Sequence, residues 1–268
     1  MAASMSSTGK AAARGARGSK TLELLARAGY AVSGLLHLVV GVLAVQVATG
    51  SASSEQADQT GALTAIAQTP GGTALLWFAV VAFAALALWQ ITVALSGAGE
   101  TSDRLKAAGK AVLYLALGVI ALQVVTGSAG GSGQEESMTA TLMEKPGGVL
   151  LVGAVGVGIV AGGVYHVLKG WRKKFLEDLE GGTGGHLGRA VVTLGQVGYI
   201  AKGVALGVLG VLFVVAAVQH DPEQAGGLDS AFATLAAQPF GVVLLVAVGL
   251  GFAAYGLYSF ARARYARM

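Results

Sequence analysis

Six stretches of this chain are apolar on every side and long enough to cross a lipid bilayer. They cover roughly residues 30–48, 73–95, 108–126, 149–168, 197–218 and 241–260. A helix needs about 20 apolar residues to span ~30 Å of hydrocarbon. A membrane β-barrel would need ~10-residue segments that alternate polar and apolar side chains, and these runs do not alternate. Inside hydrocarbon each backbone polar group needs a partner within its own segment, so the runs are expected to be helices. Charged residues make up only 12% of the chain, half of the roughly 25% usual for soluble domains. The chain has no cysteine, which excludes disulfides, thiolate metal sites and cysteine nucleophiles.

The charges fall unevenly between the runs. The gaps after runs 1, 3 and 5 hold Glu55, Asp58, Glu135, Glu136, Glu144, Asp221, Glu223 and Asp229, with Lys145 as the one base. The other 17 of the 18 Lys and Arg lie in the remaining segments. Basic residues in short loops stay on the cytoplasmic side. The expectation is a multi-pass membrane protein with both termini cytoplasmic. The basic clusters, "GWRKKF" (170–175) among them, would lie against anionic lipid. They contain no recognisable nucleic-acid-binding module.

The chain repeats itself. "QVATGS" at 46–51 recurs as "QVVTGS" at 123–128, and this register also pairs Arg27 with Arg104 and Gly41 with Gly118. "PGG" at 70–72 and 146–148 has a third copy in "PFG" at 239–241. A further offset pairs Gly34 with Gly203 and Gly41 with Gly210. Repeats of this length are architectural units. The reading is a basic, disordered tail at 1–20, then repeats at 21–98, 99–180 and 181–268. Each repeat holds two spanning helices and crosses in the same direction. Such a parallel repeat most simply forms a pseudo-threefold, six-helix, all-α bundle. Before each proline, Leu63 and Ile66, Thr139 and Leu142, and Phe232 and Leu235 keep i, i+3 spacing. This predicts short interfacial helices on the outer side, lying on the membrane surface or over the bundle mouth, with each proline in the first turn of the following helix.

These features resemble a known family. "RAGYAVSG" (27–34) and "QVGYIAKG" (196–203) open repeats, and "AFATLAAQPFG" (231–241) precedes an even-numbered run. The pattern is similar to six-helix bacterial membrane proteins, mainly actinobacterial, described as a domain of unknown function in three copies. The middle unit departs from it, since "RLKAAGKA" (104–111) has no Tyr after its Gly. The resemblance covers about residues 22–265 and implies this architecture and a bacterial inner membrane. It brings no reaction and no site residues.

Polar groups inside spans are the candidates for function, because hydrocarbon penalises them unless they are paired or solvated. Lys110 and Lys202 occupy equivalent positions, aligned with Ser33, and could form a polar ring that attracts an anion or an anionic lipid. The alternative for both lysines is snorkelling to the headgroups. His37 and His166 lie in runs 1 and 4, and neither recurs: Tyr114 and Leu206 stand where His37 does. Gln46 and Gln123, near the outer ends of runs 1 and 3, could bond between helices. "GIVAG" (158–162) and "GVALG" (203–207) have the spacing of close helix packing. Trp77 on the outer side, and Tyr30, Trp89, Tyr165, Trp171, Tyr199 and Tyr258 on the inner, would form interfacial belts. "GGTGGHLG" (181–188) reads as a linker.

No nucleophile–base pair, paired intramembrane carboxylates, catalytic residue or metal-ligand spacing stands out. The expectation is therefore a non-enzymatic scaffold, or an accessory factor binding lipid or a membrane protein partner, with no cofactor, no metal and no nucleic acid. One alternative is a small-solute or anion transporter working along the pseudo-threefold axis. A second is haem held by His37 and His166.

Overall fold

Every apolar run lies within a helix, and several of these helices are bounded by turns written into the sequence. The structure, a computed structural model, describes residues 20–53, 57–95, 101–128, 134–180 and 185–267. The expected tail, apart from Lys20, lies outside the described residues, as do Glu55 and positions 181–184. Nine α-helices are described: α1 (Lys20–Ala48), α2 (Gln59–Ala67), α3 (Gly72–Leu95), α4 (Thr101–Thr126), α5 (Gln134–Met143), α6 (Gly148–Trp171), α7 (Gly185–Gln219), α8 (Leu228–Ala236) and α9 (Gly241–Tyr265). Six of them, α1, α3, α4, α6, α7 and α9, are long and apolar enough to cross a membrane. Each unit is thus long helix, short helix, long helix, three times over. One end of the bundle carries the N-terminal start of α1 and the C-terminal end of α9. It is called the terminal side here, and the opposite end the loop side.

The first long helix of each unit (α1, α4, α7), the odd helix, begins about two to three turns earlier than its apolar run suggests. Their first turns are polar and are held by local pairs such as Glu23–Arg27 at 2.9 Å and Asp103–Lys106 at 3.1 Å. Gly185 already belongs to α7, so the expected linker at 181–188 ends there. Helix ends reach across the seams between units. Arg27 donates to the carbonyls of Ala263, Arg264 and Ala266, capping α9. Its counterpart Arg104 donates from Nε to the Ala94 carbonyl, 2.9 Å away, near the end of α3.

The repeated "QVATGS" and "QVVTGS" phrases are helix stops. Gly50 (φ 73°) and Gly127 (φ 71°) are left-handed. The amides of Ser51 and Ser128 reach back to the carbonyls of Gln46 and Gln123, each 2.8 Å away. This is the Schellman geometry. The third unit repeats it with His220 (φ 57°) in the glycine position and the Asp221 amide 3.0 Å from the Ala216 carbonyl.

The prolines lie outside the even helices rather than in their first turns. Residues 69–72, 145–148 and 238–241 form tight turns whose third residue, Gly71, Gly147 or Phe240, has φ between 63° and 79°. The fourth residue's amide returns to the first residue's carbonyl at 2.7–2.9 Å. That is a type II turn with Pro at its second position. The following glycine is required in all three copies: a Cβ on Gly72, Gly148 or Gly241 would collide with the carbonyl of Ile66, Leu142 or Ala236. The turn folds each short helix back onto the bundle. Leu63, Phe232 and Leu235 of α2 and α8 are buried in the main core, so these faces meet protein rather than lipid.

The long helices close a ring. The even helix of each unit packs on the odd helix of the next: α3 on α4, α6 on α7, and α9 back on α1. This is the expected pseudo-threefold arrangement. Two seams use the same glycine pairs seven residues apart. A Cβ on Gly41 would lie 2.6 Å from the Gly249 carbonyl oxygen, and one on Gly34 would lie 2.9 Å from that of Gly256. In the equivalent seam, Gly203 meets the Gly163 oxygen at 2.6 Å and Gly210 meets that of Gly156 at 2.7 Å. Backbones this close gain dispersion contact in a setting where burial from water contributes little.

Within units, α1 packs on α3 and α7 on α9, whereas α4 and α6 share at most marginal backbone contact. The most hydrophobic stretches of α4 and α6 are also the least buried of the six spans, at 22% each against 33–56% for the others. The ring therefore has one loose joint, inside the middle unit.

Candidate functional site

A cavity of about 580 Å³ lies within the bundle. It is built in tiers by the pseudo-symmetry. The first tier is Ser33, Lys110 and Lys202, from equivalent positions of α1, α4 and α7. One turn further along come His37, Tyr114 and Leu206, again equivalent, and again all lining the cavity. The even helices add Lys169 and Arg262, which stand 93 positions apart, the offset that separates Pro146 from Pro239. Their counterpart in the first unit is Val93. His166 lines the same space.

The tiers are wired together. His37 Nδ1 lies 2.7 Å from the Ser33 carbonyl and therefore carries the proton, leaving Nε2 to accept from Lys202 Nζ at 2.9 Å. The Lys202 amine also lies 4.6 Å from the centre of the Tyr255 ring. His166 repeats the backbone contact, 2.8 Å to the Gly162 carbonyl, and stacks on Tyr199. Arg262 sits over the Tyr30 ring at 4.3 Å and donates weakly to its hydroxyl at 3.5 Å. It is only 7% exposed, and its Nε has no hydrogen-bond partner among the described residues.

Charge is the cavity's main property. Its basic lining groups are Lys106, Lys110, Lys169, Lys202 and Arg262, and among the described residues no Asp or Glu lines it. Lys169 is paired with Asp178 at 2.6 Å and Lys106 with Asp103. Among the described residues, Lys110, Lys202 and Arg262 have no carboxylate within ion-pair distance. Asp178 stands outside the spans, in a 3₁₀ turn at Lys174–Asp178. Burial pushes its carboxyl up, but Arg262 and Lys169 nearby outweigh this and hold it below the usual carboxylate range.

The terminal side is closed by a clasp. Leu179 bridges Ala266, and the Glu180 and Arg267 amides bond the Tyr265 and Asp178 carbonyls at 2.6 and 3.0 Å. Beneath it Phe175, Tyr199, Tyr255 and Tyr258 form a buried aromatic cluster. On the loop side the cavity ends at Gln59, Leu228 and Phe252, and Phe252 packs edge-on against Phe232. Asp58 caps α2 by accepting from the Gly61 amide at 2.6 Å, and burial raises its pKa. Burial also raises that of Asp229, with Asp58 adding to the effect.

Several sequence expectations change here. Gln46 is exposed and Gln123 half-buried, and neither lines the cavity. What their repeated positions contribute is the backbone carbonyls of the helix stops. Tyr30, Trp89, Tyr199 and Tyr258 are at most 5% exposed, so they pack the bundle instead of forming an interfacial belt. Tyr165, Trp171 and Trp77 are exposed. "GVALG" does lie in a seam, but a Cβ on Gly158 or Gly162 of "GIVAG" would meet nothing within 4 Å. The glycines of α6 that pack most closely against α7 are Gly156, Gly163 and Gly170. Arg262 went unrecognised because it reads as one more terminal-side charge. Its register with Lys169 was the available signal.

Comparison with known proteins matches this architecture. No solved structure matches the chain. An uncharacterized Bacillus subtilis protein, YxxB, is 27% identical over 253 residues, covering 90% of each chain. The family described as Domain of Unknown Function (DUF1206) matches three times, over residues 28–97, 105–173 and 197–266. Those matches cover each long–short–long unit in turn, and the chain belongs to that family.

Proposed function

We propose that this is a non-enzymatic protein of the bacterial inner membrane that binds an anionic ligand in its central cavity, as an accessory factor to other membrane components. The observation that carries this reading is the set of Lys110, Lys202 and Arg262, which line one cavity with no carboxylate among its described lining residues. Basic groups withdrawn from water are strongly penalised unless paired, and the carboxylate beside them, Asp178, is already paired with Lys169. A bound anion would offset that penalty, and Arg262 has an N–H free to donate to it. The loop-side closure by Phe252 and Phe232 favours binding over conduction along the axis. Haem is disfavoured because His37 Nε2, the nitrogen it would need, is engaged by Lys202 at 2.9 Å.

The basic terminal side supports cytoplasmic termini, with anionic lipid against that face. A test uses the purified full-length protein in detergent. Inorganic phosphate should raise its thermal midpoint over an equal ionic strength of chloride, and Lys110→Gln with Lys202→Gln should abolish the difference. If no multivalent anion stabilises the protein, or the double variant responds as the parent does, the reading fails.

A further inference from the structure

The loose joint between α4 and α6 opens the cavity sideways. Gly109, Leu113, Gly158, Gly162 and Tyr165 line the cavity from these two helices. Leu113 and Tyr165 are 50% and 45% exposed, so they form a rim that reaches the molecular surface. A Cβ on Gly109, Gly158 or Gly162 would meet nothing within 4 Å. These glycines are therefore not a packing seam but the walls of a cleft. Leu113 and Gly158 sit near the middle of their spans, at the depth of hydrocarbon, where such a cleft faces lipid tails rather than water.

A mouth facing acyl chains leads to a space lined by Lys110, Lys202 and the buried Arg262. That combination suits a molecule with an anionic head and an apolar tail. We infer that the ligand is an acidic phospholipid that enters between α4 and α6, lays its phosphate among Lys110, Lys202 and Arg262, and leaves acyl chain in the glycine-walled cleft. This rests on the anion-binding reading and adds to it the source and the route. Charge complementarity selects the occupant. A second copy of this chain would bring an apolar helix face, which adds no counter-charge for the three basic groups. A free anion would have no use for a cleft open at mid-membrane.

The experiment takes the full-length protein from vesicles of equal phosphatidylglycerol and phosphatidylcholine and reads retained lipid by native mass spectrometry. In parallel, inorganic phosphate binding is read from the thermal midpoint. The parent should retain phosphatidylglycerol over phosphatidylcholine by at least tenfold. Gly158→Leu with Gly162→Leu fills the cleft without touching the seams. It should lower that retention at least fivefold while leaving the phosphate shift in place, and Lys110→Gln should lower both. Gly109→Leu, on the opposite wall, repeats the test should the double variant fail to fold. Equal retention of the two lipids, or retention unaffected by filling the cleft, overturns the inference. So does a lipid-free dimer. Phosphate binding without phospholipid retention also overturns it but leaves the anion-binding reading standing. If neither ligand binds, both fail.

Discussion

A single left-handed residue decides where each odd helix stops, and the three units solve this with unequal success. Gly50 and Gly127 adopt φ near 70° freely, whereas His220 holds φ 57° against its own Cβ, at a cost of roughly 1 kcal/mol. His220→Gly should therefore stabilise the protein by about 1 kcal/mol in reversible unfolding, and Gly50→Ala should destabilise it by about the same amount. The seam glycines allow a sharper contrast. Gly41→Ala places a methyl group 2.6 Å from a backbone carbonyl, and overpacking of this kind costs about 1–3 kcal/mol. Gly162→Ala meets open space, and should be neutral or slightly stabilising in the same measurement. Glycine spacing in the sequence did not separate these two classes. Which face of α6 meets α7 depends on tertiary packing, and "GIVAG" happens to lie on the other face.

At the scale of elements, the existence of the six spans and their loop-side boundaries, the short helices and the three-unit plan were legible in the sequence. Long apolar runs in hydrocarbon have few structural options. The clasp between the α6–α7 connection and the end of α9 was not legible, because its pairing is between backbones far apart in the chain. It has a pH signature. Asp178, held below the ordinary carboxylate range, contributes stability that is present above its unfolded value of 3.8 and is lost as pH falls through its lower folded value. Asp178→Asn should lower the thermal midpoint at pH 7 and flatten its decline below pH ~4. Asp58 has the opposite sign. Its folded carboxyl is raised by burial, so its ionised form is penalised at neutral pH and the penalty fades as pH falls through the raised value. Asp58→Asn retains the helix cap and should raise the midpoint at pH 7, with the gain shrinking on acidification.

For the whole molecule, threefold repetition built a ring and sequence divergence then made the ring unequal. Position by position, Ser33 faces Lys110 and Lys202, His37 faces Tyr114 and Leu206, and Val93 is replaced by Lys169 and Arg262 in the other units. The second and third units supply the basic groups, and the second supplies the opening. The ring of Ser33, Lys110 and Lys202 was readable from alignment of the repeats. The cavity, an Arg262 Nε with no partner among the described residues, and the gap at α4–α6 were not, because they depend on which helices touch and which do not. The proposed orientation is checked by fusing a cytoplasm-dependent fluorescent reporter to the C-terminus, which should fluoresce. An extracytoplasmic phosphatase reporter at the same place should be inactive. The most direct measurement is a density map of the protein in bilayer nanodiscs containing phosphatidylglycerol. Headgroup density among Lys110, Lys202 and Arg262, with a tail leaving between α4 and α6, is the result expected. A cavity holding only water or collapsed side chains, with lipid confined to the outer surface, would contradict it.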